Sequence, residues 1–271
     1  MTTALVKVEG AGNDFVLAMG AWVGRLAGDS GLVRRLCHRR LGIGADGVLL
    51  VEVEGADRVR LEHRNADGTP APFCGNGTRC AARAAVDIAG CRSDVIVDTG
   101  WEPIAAMVRE ASVSLDLPAP TEGPRPLAVT LGDRRFDASF LEIGVPHLVV
   151  SVSDPNVVDL PTVGPLLRRH PELDPGGANV NFVSSGDEGP TVIRTWERGV
   201  EGETLSCGSG IVAAALVVMA RRGADAVRLQ PASGDVLVVE ALGSPPRCSV
   251  RFTGPARIVA EIQPGEGWLR G

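Results

Sequence analysis

The chain carries much of its sequence twice. Gly10-Ala-Gly-Asn13, followed by DFVLA, matches Gly144-Val-Pro-His147, followed by LVVSV, at an offset of 134 residues. The basic segment LVRRLCHRRLGIGADG resembles VGPLLRRHPELDPGGANVNF, with Gly44-Ala45-Asp46 meeting Gly177-Ala178-Asn179 at 133. Asn65 lies nine residues before Cys74, and Arg198 lies nine before Cys207. Cys74-Gly-Asn-Gly meets Cys207-Gly-Ser-Gly, again at 133. Four matches in one order, at an offset of about half of 271 residues, predict two similar domains with equivalent features brought together at a cleft.

The expected division is residues 1–118, joined by about 259–271, and residues 119–258. The hinge falls in DLPAPTEGPRP, residues 116–126, because prolines suit a linker better than an element interior. Strand patterns occur at GVLLVEVEG, DVIVDTG, SVSLDL, HLVVSV, TVIRTWE and DVLVVEAL, and helical ones at 31–40, 76–89, 163–170 and 209–222. GSGIVAAALVVMA has no polar face, so the helix it forms is buried all round. The expectation is an α/β (α+β) chain of two pseudo-symmetric domains, each a mixed sheet wrapped around a central helix.

Bulk composition excludes several functions. The net charge of −6 argues against nucleic acid as a partner, which calls for clustered positive charge. No stretch reaches the roughly 18 to 20 apolar residues of a membrane span. MTTALVKVEG lacks the charged-then-apolar pattern of a secretory signal, so a cytoplasmic protein with reduced thiols is expected. The six cysteines include no C-x-x-C pair, and His38, His63, His147 and His170 form no ligand-spaced cluster, so no metal site is expected. Cys37, Cys91 and Cys248 read as packing residues. Lys7 is the single lysine and alternates with apolar neighbours in a strand-like stretch, which disfavours Schiff-base chemistry with pyridoxal phosphate.

GIGADG, residues 42–47, spells a dinucleotide fingerprint, but a basic helical segment precedes it and a strand follows it. That order is the reverse of what the fingerprint needs. Its glycines are read as a turn from helix into strand. The two Cys-Gly-x-Gly motifs are the stronger signal. Glycines at their second and fourth positions allow close approach of backbone N–H groups to a ligand. Each cysteine stands where unpaired helix donors favour a thiolate.

Two matched thiols suit inversion at a carbon acid. One removes the α-proton of an amino acid and the other returns a proton to the opposite face. Asn13, Asn65 and Asn179 lie in polar or Gly-rich turns, where asparagine serves the backbone as readily as a ligand. Glu197-Arg198 follow TVIRTW directly and could equally be a surface ion pair. His147 is either a core histidine or, through its match to Asn13, a cleft residue.

These motifs resemble the diaminopimelate epimerase family nearly end to end. GAGNDFV, RRLGIGADGVLL, RNADG, FCGNGTRCAAR, GVPH, GGANVNF and WERGVEGETLSCGSG all correspond. The resemblance implies a homodimeric enzyme without pyridoxal phosphate or any other cofactor, converting LL- to meso-diaminopimelate. It implies that Cys74 and Cys207 are the acid–base pair, and that His147 and Glu197 support the reacting centre and its ammonium. Gly75, Asn76, Gly208 and Ser209 would hold the reacting carboxylate. Asn13, Asn65, Asn179 and Arg198 would bind substrate. Val145 stands where the family often has asparagine, and Gly47 where many members have glutamine. A related racemase for another amino acid, such as histidine, therefore stays open. A cysteine hydrolase leaves the second thiol unexplained, and a non-catalytic amino-acid binder would bind without α-proton exchange.

Overall fold

The computed structural model describes residues 5–71, 73–173, 175–184, 186 and 189–269. The chain divides into two compact units, Met1–Leu115 with Gly254–Gly271, and Asp116–Thr253. In the first, the order is β1 (Leu5–Gly10), β2 (Asn13–Met19), α1 (Ala21–Ala27), α2 (Ser30–Cys37), β3 (Gly47–Gly55), β4 (Arg58–Asn65), α3 (Gly75–Asp87), β5 (Asp94–Asp98), β6 (Pro103–Val108) and β7 (Val113–Leu117). The second holds β8 (Arg125–Leu131), β9 (Arg134–Ile143), β10 (Val145–Val152), α4 (Leu160–Arg168), β11 (Asn179–Ser184), β12 (Thr191–Glu197), β13 (Gly202–Thr204), α5 (Gly208–Arg222), β14 (Ala226–Gln230), β15 (Leu237–Ala241) and β16 (Val250–Gly254). The chain then returns to the first unit with β17 (Arg257–Ile262) and α6 (Glu266–Leu269).

Strand pairing repeats step for step. In the first unit β17–β1–β2–β3–β4–β5–β6 pair antiparallel, antiparallel, parallel, antiparallel, parallel, antiparallel. In the second, β8–β9–β10–β11–β12–β14–β15 pair in the same succession. The returning strand β17 thus fills the place in the first sheet that β8 fills in the second.

Each sheet closes around its own helix. α3 touches every strand from β1 to β6 as well as β17, and α5 touches β9, β10, β11, β14 and β15. Small side chains let the strands approach: Ala81, Ala82, Ala84 and Ala85 of α3 and Ala213, Ala214 and Ala215 of α5 are fully buried. Ile211, Val212, Leu216, Val217, Val218 and Met219 complete the buried surface of α5. At about 1.5–3 kcal/mol for each large side chain, that burial favours folding by on the order of 10 kcal/mol before chain entropy is counted. α5 stops at Gly223, whose left-handed backbone (φ 64°) closes the last turn onto Met219 O.

α3 departs from the apolar pattern of α5, because it buries two arginines. Arg79 Nε donates to Pro255 O at 3.3 Å and its Nη2 to Asn76 Oδ1 at 2.7 Å. Arg83 donates to Ala256 O at 3.2 Å and to Ser112 O at 3.3 Å. These guanidiniums satisfy the carbonyls of the returning segment just before β17, so they fasten the end of the chain to α3. Around 42–47 the glycines make a turn, as their order suggests. Gly42 N and Gly44 N donate back to His38 O and Leu36 O, and a Cβ on Gly42 would lie 1.9 Å from Arg35 O.

Replacing Arg79 by methionine keeps most of the buried stem and strands its two acceptors. The expected loss is about 2 kcal/mol or more, read as a lower urea midpoint; an unchanged midpoint would show that the arginine fastens nothing.

Candidate active site

The sequence-predicted residues assemble as two sets, one in each unit. In the first, Cys74 is the N-cap of α3, with an extended backbone (φ −130°, ψ 111°), and its Sγ accepts from Gly77 N at 3.4 Å. Asn13 Oδ1 lies 3.7 Å from that sulfur and 3.5 Å from Asn76 Nδ2. Asn13 is itself oriented, because its Nδ2 donates to Asp46 Oδ2 at 2.6 Å. Gly75 and Asn76 are buried in the first turn of α3. Asn65 ends β4 opposite Gly47 and is exposed, with Nδ2 donating to Thr69 Oγ1 at 3.1 Å.

Behind Asn13 lies a charge network, drawn from two of the matched motifs and from Lys7, whose pairing the sequence did not reveal. Lys7 pairs with Asp14 at 2.5 Å and donates to Gly44 O. Arg39 bridges Asp14 and Asp46 at 2.8 and 2.6 Å. The single lysine therefore ties β1 and β2 to the turn before β3, which leaves it a structural task. Burial would raise the Asp14 carboxyl, but hydrogen bonds from Arg39 and Lys7 outweigh it and hold it at about 2, below its ordinary 3.8.

In the second unit Cys207 is the N-cap of α5, again extended (φ −103°, ψ 109°), and buried. Its Sγ lies 3.6 Å from Ser209 Oγ. The first helical bond runs from Ile211 N to Cys207 O, so the amides of Gly208 and Ser209 precede it at the open end. Asn179 Oδ1 accepts from Arg198 N at 2.7 Å, and Arg198 Nη1 donates to Gly177 O at 3.4 Å. Val180 pairs with Trp196, which sets Asn179 beside the half-buried Glu197.

His147 starts the parallel pairing of β10 with β11, in register with Asn179. It is completely buried, and burial, with a smaller push from Arg198, lowers its pKa to about 3. Its ring is therefore neutral. The equivalence of His147 with Asn13 does not survive: by strand register its counterpart is Phe15, which pairs with Gly47 as His147 pairs with Asn179. Asn65 likewise corresponds to Glu197 rather than Arg198, and Asn179 to Gly47 rather than Asp46. The reason is local. Two residues turn β1 into β2, but Gly144 alone turns β9 into β10, so the strands repeat at 132 residues and the cysteines at 133.

The glycines of the thiol motifs also divide differently from expectation. Those at the fourth position face the sheet: a Cβ on Gly77 would meet Leu49 Cδ2 at 3.0 Å, and one on Gly210 would meet Asn181 Oδ1 at 2.3 Å. They admit close packing beneath the helix mouth. Position 47 is closed as well, since a Cβ there would lie 2.5 Å from Arg64 O. The other four thiols are raised by burial, Cys37 to about 11 and Cys80, Cys91 and Cys248 in the same direction. Among the described residues no group of three His, Cys, Asp or Glu is placed to hold a metal ion, and no helix is long and apolar enough to cross a membrane.

The diaminopimelate epimerase family model matches residues 5–113 and 139–258. A diaminopimelate epimerase of Moorella thermoacetica is 35% identical over 274 residues, covering 93% of this chain and 95% of the relative. One from Methanothrix thermoacetophila is 41% identical over 231 residues, covering 78% and 79%. Among solved structures, a PhzF-family phenazine biosynthesis protein of Enterococcus faecalis shares the fold with a TM-score of 0.72 at 16% identity, covering 96% of this chain and 98% of that one. A probable proline racemase of Agrobacterium radiobacter K84 does so at 0.70 and 17%, covering 98% and 93%.

Asp14 gives the network a pH signature. A carboxyl depressed by folding contributes stability above its unfolded pKa and loses it as pH falls through the folded one. Wild type should exceed Asp14→Asn by roughly 2 kcal/mol at pH 6. That gap should close between pH 4 and pH 2 in urea titrations; a constant gap would deny the ion pairs their role.

Proposed function

Because the chain belongs to the diaminopimelate epimerase family, we propose that it interconverts LL- and meso-2,6-diaminopimelate with Cys74 and Cys207 as its two proton carriers. One thiolate takes the α-proton, and the other thiol gives its own proton to the opposite face of the carbanion-like carbon. After one turnover the two sulfurs have exchanged protonation states, and the reverse reaction uses them in opposite order. The reaction belongs to lysine biosynthesis. The observation that carries this reading is the like placement of the two thiols, each capping a buried central helix in a repeated strand framework.

A helix terminus contributes only about 0.3–1 kcal/mol to a nearby charge, at best about 2. The larger share of catalysis must fall to donors already aimed at the substrate carboxylate in a site that excludes water. Gly75, Asn76, Gly208 and Ser209 are assigned that task. Glu197 takes the reacting ammonium, and His147 supports the same centre. Asn13, Asn65, Asn179 and Arg198 bind the remainder of the substrate. Asn13 and Asn179 are held by neighbours within their own units, which favours a ready-made site. The family likeness further supports a cytoplasmic homodimer, checked by light scattering of the purified protein.

The second reading, a racemase for another amino acid, is favoured by Val145 and by the closed position 47. Incubation in D2O with LL-, meso- and DD-diaminopimelate, then with other amino acids, separates the two. Deuterium gain at the α-carbon with inversion of diaminopimelate is expected. Exchange confined to other amino acids would transfer the assignment to the racemase. Cys74→Ala and Cys207→Ala should each abolish inversion, and full turnover by either would exclude a two-thiol mechanism.

A further inference from the structure

Superimposing the repeat by strand register sets Phe15, Leu49 and His63 of the first unit against His147, Asn181 and Thr195 of the second. Both trios lie on the helix-facing side of their sheet, under the fourth-position glycine of the thiol motif. In the first unit the packing is apolar and aromatic. Leu49 meets Gly77, and Phe15 stacks edge-on against His63 with ring centroids 5.4 Å apart. In the second it is a hydrogen-bonded chain. Thr195 Oγ1 donates to Asn181 Oδ1 at 3.0 Å, and Asn181 Nδ2 lies 3.2 Å from His147 Nδ1. All three residues are buried.

The chain has only one consistent polarity. Asn181 Nδ2 also faces Leu148 O at 3.5 Å, and a carbonyl can only accept. The atom turned toward it must be the amide nitrogen, which fixes which end of Asn181 faces the imidazole. His147 Nδ1 therefore accepts, and a neutral ring must carry its proton on Nε2. That Nε2 is buried and has no hydrogen-bond partner among the described residues. A buried donor left unmatched is costly and calls for an explanation. Asn181 stands at the mouth of α5: the Cβ position on Gly210 that clashes with its Oδ1 lies 3.4 Å from Cys207 Cβ.

We propose that Asn181, anchored by Thr195, is a positioning residue that fixes His147 as its Nε2–H tautomer beside the Cys207 helix mouth, so that the ring offers an N–H donor on that thiol's side of the substrate. The kinetic consequence rests on the epimerase reading; the tautomer does not. Because the first unit has Phe15 and Leu49 in these places, the two thiols work in unlike surroundings. Each unit holds one imidazole at this level, but only His147 meets a side-chain amide there, whereas His63 packs against the ring of Phe15.

The test uses the full chain labelled with 15N-histidine, with His147 assigned through His147→Gln. At neutral pH the His147 nitrogens should show a protonated Nε2 and an unprotonated Nδ1. Asn181→Leu should fold, since Leu49 fills the equivalent place, and should give a mixture of tautomers. Its kcat for epimerisation should fall about 10- to 100-fold, the size of effect known for the hydrogen-bond partners that orient metal-bound histidines, with KM within about threefold. Thr195→Val should shift both readouts the same way, and Thr195→Ser should restore them. A wild-type ring protonated on Nδ1, or on both nitrogens, would overturn the proposal. So would an unchanged kcat in an Asn181→Leu protein whose tautomer has become mixed, or a Thr195→Ser protein that behaves like the valine variant. The nitrogen shifts are read on resting protein, so a wild type that exchanges no α-proton would sink the epimerase reading separately.

Discussion

The structure depends on burying a helix on every side. A helix with apolar or alanine faces all round cannot lie on an open sheet without exposing half of itself, so the strands must curl until they enclose it. Once enclosed, the helix has two openings, and its N-terminus concentrates unpaired N–H groups at one of them. Cys74 and Cys207 occupy that opening in their respective units. The chemistry of the thiols thus follows from the same constraint that makes the core.

Enclosure also dictates what may lie directly beneath each thiol. The sheet comes so close at the first helical turn that Gly77 and Gly210 admit no Cβ without displacing Leu49 or Asn181. Evolution of the two copies has used this contact differently. The first half fills it with Leu49, Phe15 and the His63 ring, and gathers its charged groups in the network of Lys7, Asp14, Arg39 and Asp46 that orients Asn13. The second half places its polar groups inside, as Thr195, Asn181 and His147. One architecture supports two thiols whose neighbours differ.

Several residues explain how much could be read in advance. GVLLVEVEG and TVIRTWE are the strands β3 and β12 to the residue, because their ends coincide with turn residues. α4 begins at Leu160, ahead of the expected 163, since Asp159 accepts from Thr162 N and Pro161 fits the first turn. α1, β8 and β9 gave no clear period. Alternation was present at Asn179 and Asn181, two polar residues on one face of an otherwise apolar strand, and would have pointed to the buried chain. Arg79 and Arg83 could not have been found that way, because a buried arginine looks like a surface one until its acceptors are known.

By itself the sequence determined the duplication, the two enclosed helices and the placing of a cysteine at the head of each, since these follow from periodicity and from motifs contained within short windows. The register between the copies, and so the true partners of His147 and Asn65, was decided only in three dimensions. Loops of unequal length slip a linear match by a residue or two, whereas hydrogen-bonded strands admit one alignment that keeps each side chain on its proper face.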